Sequence, residues 1–352
     1  MTCNKAITAA DLHDMLSLPY EQIAELVSLS SEIKSRYVGN TVYLRGLIEY
    51  SNICTKNCLY CGIRCSNDKV QRYTMREGEV IDAALYAYDR GMGSIVIQAG
   101  ERSDKSHITT VANLLEKIMQ KTNAGLRVTL SLGEQSRDVF RLWRGCGVDR
   151  YLLRIEDASE ELYKKIHPSD TNHSYSKRLK AIEDLRNEGY QVGSGFMIGL
   201  PFQTIEDLVN DILFLKEYDI DMVGMGPYIE NEDTPLYQYR HLLLPRERRL
   251  DLSIKVVAAL RILTKDINIA ATTAMQTLAD NGRERAIDAG ANVIMPNLTP
   301  QKYQEDYHLY KDKPVLQEDT DENLLELEKR IESTGNSVGY NQFGDSKHFL
   351  SK

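Results

Sequence analysis

Three cysteines fall within eight residues, in the stretch Asn52-Ile-Cys54-Thr-Lys-Asn-Cys58-Leu-Tyr60-Cys61-Gly62. The spacing is Cys-x3-Cys-x2-Cys, and thiolates placed this way on one short loop suit three irons of a cubane 4Fe–4S cluster. No fourth cysteine stands at a matching spacing, so one iron keeps an open coordination position for a substrate or cofactor. An electron-transfer ferredoxin closes that position with a fourth thiolate. Structural zinc sites usually combine two Cys-x2-Cys pairs far apart, and no second pair exists here. Disulfides are not expected, because a chain of 352 residues needs no covalent staples and nothing at its start reads as a secretion signal. Six cysteines without such a signal imply a reducing cytoplasm, and an exposed cluster implies an oxygen-poor setting.

The elements that must hold this loop follow from pattern. Thr41–Tyr50 alternates and is β-rich, so it reads as a first strand with the cysteine loop at its end. Beyond it, strands are expected at Ser94–Gln98, Leu126–Leu132, Asp149–Arg154, Gln191–Ile198, Met222–Met225, Ile267–Ala270 and Ala291–Ile294. Helical patterns separate them, as at Glu77–Arg90, Ile108–Lys121, Gln135–Gly145, Ser176–Glu188, Thr204–Glu217 and Glu247–Thr264. About eight strands alternating with helices predict a parallel sheet closed into a (βα)8 barrel of the TIM type, with chemistry at the C-terminal strand ends. Residues 1–37 read as helices packing on the barrel, 38–310 as the barrel, and 311–352 as a covering helix with a polar tail. Cys3, in the first of these segments, is read as incidental. A hydrophobic fraction of 42% and a charged fraction of 27% describe a soluble globular protein. A net charge of −8 with interspersed signs argues against nucleic acid, and no apolar run is long enough to span a membrane.

The cysteine pattern, with Tyr60 before the third cysteine, is similar to the signature of the radical S-adenosylmethionine (SAM) enzymes. In that superfamily the open iron chelates SAM, and one electron cleaves it to methionine and a 5′-deoxyadenosyl radical. That resemblance gives meaning to the strand ends. Gly100-Glu101 follows the second strand, where the family's Gly-Glu contacts the amino group of SAM. Thr129-Leu-Ser131-Leu-Gly133-Glu134 follows the third; Ser131 and Glu134 either line the pocket or cap the next helix. On the fourth, Arg154 and Glu156 share a strand face, and buried charges there need partners or ligands. Glu156 is expected to hold the SAM ribose or amino group and Arg154 an anionic substrate group, with a structural Arg154–Glu156 ion pair as the alternative. Arg178 is a candidate for the SAM carboxylate, and Tyr60 and Met197 join the cofactor side. Met222, Met295 and Tyr303 are expected as substrate-side wall residues. Thr272 and Thr273 form either an anion cradle or a helix cap.

Longer segments narrow the resemblance. Asn57–Gly62, Arg72-Tyr73, Val128–Glu134, Asp149–Arg154, Gly199-Leu-Pro201, Asp207–Glu217, Asp221–Gly224, Ala271–Met275 and Gly290–Asn297 resemble the radical SAM maturases of FeFe-hydrogenase, in the biotin synthase-like group. That family implies a barrel enclosing a long cavity, one 4Fe–4S cluster with SAM at its top, and a role in assembling the hydrogenase's diiron subcluster. It also implies a small-molecule or iron-complex substrate, a donor such as ferredoxin or flavodoxin, and companion maturases. Two departures stand out. Ile155 occupies a position where some members carry histidine. No cysteine follows Cys146, so an accessory cluster is not expected, and Cys65 is read as a spare thiol. A radical SAM enzyme acting on a sulfur-containing or amino-acid-derived molecule is the alternative, and an iron–sulfur carrier without catalysis a third possibility.

Overall fold

A computed structural model of the chain describes residues 6–315 and 320–352; Cys3 and part of the acidic segment after Lys311 lie outside them. Nine strands hydrogen-bond in one sheet. Eight follow one another in sequence order and close on themselves, each parallel to its neighbours. They are Thr41–Ser51, Ser94–Ala99, Arg127–Ser131, Arg150–Leu152, Gln191–Ser194, Met222–Val223, Asn268–Ala271 and Val293–Ile294. Closure comes from Tyr43 against Val293 and Leu44 against Ile294. The expected (βα)8 barrel is therefore the fold.

The first strand is buried along almost its whole length, as a parallel strand covered on both faces must be. The fifth is shorter than its apolar run suggests. It stops at Ser194, and a second short strand, Met197–Ile198, pairs with Gly226–Pro227 above the barrel. Gly195 sits at the break, where a Cβ would lie 2.1 Å from the Gly224 carbonyl oxygen. Two backbones cross there at a distance only glycine permits.

Local side chains start the surrounding helices. Asp104 accepts from His107 N ahead of Lys105–Lys121, and Thr204 forms a reciprocal capping box with Asp207 ahead of Ile205–Glu217. The helix Arg246–Thr264 is buried on nearly every side. The N-terminal helices Ala9–Ser17 and Ile23–Tyr37 cover its outer face, and Lys255 Nζ donates to the Leu18 carbonyl at 3.1 Å.

The polar tail does more than cover. Ser337–Val338 adds a ninth strand beside Thr41 and Val42, and the chain then crosses the N-terminal mouth of the barrel. There Arg45 and Asn268 donate to the Gly344 carbonyl at 3.1 and 2.9 Å, while Arg150 donates to the Phe343 carbonyl and the Asp345 carboxylate, both at 2.6 Å. Charged residues inside the barrel floor are thus paired by the tail's backbone, and the barrel is left open for chemistry at its other end.

Candidate active site

The loop after the first strand is built around two polar anchors. Buried Asn52 donates to the carbonyls of Gln71 and Asp306 and accepts from Tyr73 N at 2.8 Å. Arg72 gathers the carbonyls of Asn52, Ile63, Arg64 and Asn67 at 2.6–2.9 Å. A guanidinium with five fixed donors can hold that many carbonyls only if the loop keeps one shape. His173 Nε2 accepts from Asn57 N at 2.8 Å. Gly62 is required by its neighbours, since a Cβ there would lie 1.9 Å from the His308 carbonyl oxygen. Gly100 is tight too: a Cβ would meet the Ile53 carbonyl oxygen at 2.5 Å and Cys54 Cβ at 2.7 Å.

The three thiols behave as one electrostatic unit. Burial pushes all three up, Cys61 to about 12, and neighbouring thiols push Cys58 and Cys61 further. Thiolates in such a place need a positive partner. Cys54 Sγ already accepts N–H bonds from Lys56 at 3.4 Å and Glu101 at 3.3 Å, an arrangement that favours the thiolate. Among the described residues no three Cys, His, Asp or Glu side chains converge closely enough for a single metal ion. In a cubane each thiolate takes its own iron, so the three thiols need not converge on a single ion.

A cavity of about 190 Å³ opens beside this loop. Tyr60, Cys61, Ser131, Arg154, Met197, Thr272, Thr273 and Met295 line it, so these expected residues come together from six different strand ends or loops. Tyr60 bridges towards His167 Nε2 at 3.3 Å. Arg154 pairs with Glu156 at 3.1 Å, which realises the ion-pair alternative. Yet Glu156 is buried with its Oε2 unpartnered, and its backbone is left-handed at φ +71°. Glu156 itself does not line the cavity, but its partner Arg154 does, so the unpartnered oxygen stands behind that wall. Thr272 donates to the Met225 carbonyl at 3.2 Å and Thr273 accepts from Arg283 at 3.0 Å; neither caps the helix Thr273–Leu278.

Other expected residues stand elsewhere. Glu101 and Arg178 lie behind the cluster loop: Glu101 takes Lys56 at 3.1 Å, while Arg178 donates to Glu134 at 2.6 Å and to the Arg154 carbonyl at 2.9 Å. Glu134 is therefore not a helix cap; Ser136 caps Arg137–Gly145 instead. Met222 lies deeper, in a smaller cavity of about 30 Å³, with its sulfur accepting from Arg45 at 3.0 Å. Tyr303 does not reach the cavity. It turns outward, bonds Glu79 at 2.8 Å and stacks on Tyr73, because the short helix Gln301–Gln304 carries it away from the barrel mouth. Ile155 is buried in the core and offers the cavity nothing.

Sequence reasoning missed Glu49, Gln98, Tyr310 and Lys313, all on the cavity wall. Glu49 ends the first strand and its carboxylate is paired with Lys313. Glu49 had a signal, a carboxylate near the C-terminal end of a mostly apolar strand; Lys313, on an irregular segment, had none.

Residues 48–215 match the model of the Radical SAM superfamily. The chain is 44% identical over 326 residues to the FeFe-hydrogenase maturase subunit HydE of Thermotoga maritima, covering 92% of this chain and 89% of that one. It is 25% identical to the 3-methylornithine synthase of Methanosarcina acetivorans, over 92% and 88% of the two chains. Among solved structures, methylornithine synthase (PylB) superposes with a TM-score of 0.80 at 23% identity, over 96% of each chain, which speaks for the shared fold. The three half-buried thiols on one loop, the adjoining cavity and this full-length similarity agree: the chain belongs to the radical SAM family that includes the FeFe-hydrogenase maturase subunit HydE.

Proposed function

We propose that this chain is a radical SAM enzyme of FeFe-hydrogenase maturation, acting on a small molecule held inside its barrel. The observation that carries the proposal is the juxtaposition of three clustered thiols with a cavity that both Cys61 and Arg154 line. Cys54, Cys58 and Cys61 would hold a 4Fe–4S cluster. When bound, the cluster supplies the single electron that cleaves SAM and so gives access to a 5′-deoxyadenosyl radical.

The chain's own residues bind, orient and exclude water. Glu156 Oε2 is free to accept from the SAM ribose or ammonium, with Tyr60, Ser131 and Met197 beside it. Gly100 lets the second strand approach the loop, and Glu101 fixes Cys54 through its backbone N–H. Arg178, already oriented by Glu134, would reach the SAM carboxylate with a remaining N–H. Arg154, Thr272 and Thr273 would hold an anionic substrate group, with Met295 as apolar wall and Met222 at the deeper end.

Assembly of the diiron subcluster, from an iron-complex precursor made with companion maturases, is the role suggested by the similarity to HydE. The reductant would be a low-potential carrier such as ferredoxin or flavodoxin, in an anaerobic cytoplasm. Among the described residues no helix is long and apolar enough to cross a membrane.

The test is anaerobic reconstitution with iron and sulfide, EPR of the reduced protein with and without SAM, and complementation of a host lacking its own HydE. A 4Fe–4S signal that shifts on adding SAM and is lost in Cys58→Ala, with hydrogenase activity restored, is expected. A signal indifferent to SAM would replace the enzyme by a cluster carrier; SAM cleavage without restored hydrogenase would move the substrate to an amino-acid-derived or sulfur-containing molecule.

A further inference from the structure

A network of four charges stands directly behind the cysteine loop. Lys56, between Cys54 and Cys58, reaches Glu101 Oε1 at 3.1 Å, Glu134 Oε2 at 3.0 Å and the Asn172 carbonyl. Glu134 also takes Arg178 Nε at 2.6 Å. The four side chains are only 9–13% exposed. Two positive and two negative charges cancel, and for side chains this nearly buried an imbalance is screened less than at an open surface.

Those surroundings are the cluster ligands. The backbone N–H groups of Lys56 and Glu101 both donate to Cys54 Sγ. Two members of the network thus hold a cluster ligand through their own backbone, while Lys56 and Glu134 line no part of the cavity beside Cys61.

Given the cluster assignment above, on which this rests, we propose that Lys56 and Glu134 set how easily the cluster is reduced, through the charge balance of this network. They are positioning residues and do not touch SAM or substrate. Reduction takes the cluster from its 2+ to its 1+ state with one electron from an external one-electron donor; no bond breaks and no proton moves. Added negative charge is harder to accept beside an uncompensated carboxylate and easier beside an uncompensated cation.

The experiment is an anaerobic redox titration of the reconstituted full chain with a chemical one-electron reductant, read by the EPR of the reduced cluster, with iron counted for each variant. Lys56→Met leaves the network at −1 and lowers the midpoint potential; Glu134→Gln leaves it at +1 and raises it. Each displaces the reduced-to-oxidised ratio at fixed potential by about tenfold, in opposite directions. Lys56→Arg keeps the charge and the wild-type potential. The double variant Lys56→Met/Glu134→Gln is neutral and returns towards wild type, whereas two independent structural injuries would add. If Lys56→Met cannot hold iron, Glu134→Gln and the double variant decide. Shifts of the same sign, or no shift at full iron content, overturn the proposal. Failure of the wild-type chain to form any cluster would overturn the enzyme reading instead, so the two outcomes are distinct.

Discussion

Replacing Lys313 by Met should expose how strongly the cavity wall depends on one charge from outside the barrel strands. Glu49 is 1% exposed and the Lys313 side chain 8%, so the pair is fully desolvated. Lys313 also donates to the Tyr307 carbonyl at 3.0 Å, and Glu49 accepts from Asn297 at 3.4 Å. Burial pushes the Glu49 carboxyl up, and Lys313 is the main force holding it down. Methionine keeps most of the aliphatic stem but leaves that carboxylate two choices. Remaining ionised without its partner costs about 3–5 kcal/mol. Taking a proton instead, from an ordinary value of 4.5, costs about 2 kcal/mol at pH 6, about 3.4 at pH 7 and about 5 at pH 8, at 1.36 kcal/mol per pH unit. The cheaper route governs, so the loss should be about 2 kcal/mol at pH 6 and grow to about 3–5 by pH 8. Urea unfolding followed by the fluorescence of Trp143, the single tryptophan and fully buried, measures it at each pH. A loss equal at pH 6 and pH 8 would refute the charge argument. The double variant Glu49→Gln/Lys313→Met should recover most of the stability; if it is as unstable as the single variant, packing was responsible.

Three further outcomes follow from the same geometry. Gly62→Ala puts a Cβ against the His308 backbone and Asn231, so it should lower stability by about 1–3 kcal/mol and reduce the iron retained after reconstitution. Arg154→Met should keep full iron content and the SAM-induced EPR change while abolishing turnover of substrate; losing the EPR change as well would place Arg154 on the cofactor. Asp157 lies buried against Asp211, with Gln203 donating to both, and burial raises both carboxyls. The folded chain thus keeps a proton that the unfolded chain releases above its ordinary value of 3.8. Stability should therefore fall as pH rises above about 4, and Asp157→Asn, which leaves Asp211 without a carboxyl neighbour, should reduce that slope in unfolding curves.

The barrel and its cysteine loop were legible because both are written locally. Strand and helix periods alternate along the chain, and the three thiols sit within one turn-sized stretch, so no long-range information was needed to bring them together. The same logic explains the residues gathered at the cavity: Ser131, Arg154, Met197, Thr272 and Met295 all follow or end strands of a barrel whose order the sequence already implied. What lay beyond sequence was set by irregular segments. Tyr303 and Tyr310 are separated by seven positions in a stretch with no clear period, and nothing local says that the first turns out to Glu79 while the second enters the cavity. Lys313 looked like one more charge in a polar, acidic run, although its partner is a carboxylate at the end of the first strand. Glu134 had the spacing of a cap but met Lys56 and Arg178, because buried charges are drawn to one another more strongly than a carboxylate is to an exposed helix end. The barrel floor makes the same point from the other side. Arg45 and Arg150 could be read as oddities in their strands, and only the three-dimensional path of the tail explains them: its carbonyls at Gly344 and Phe343 each accept from one of the two guanidinium groups. Charges inside a barrel identify where something must arrive, and at one end here it is the protein's own C-terminal chain. At the other end Glu156 still has an oxygen unpartnered, and among the described residues no segment of the protein's own chain supplies the donor that would complete it.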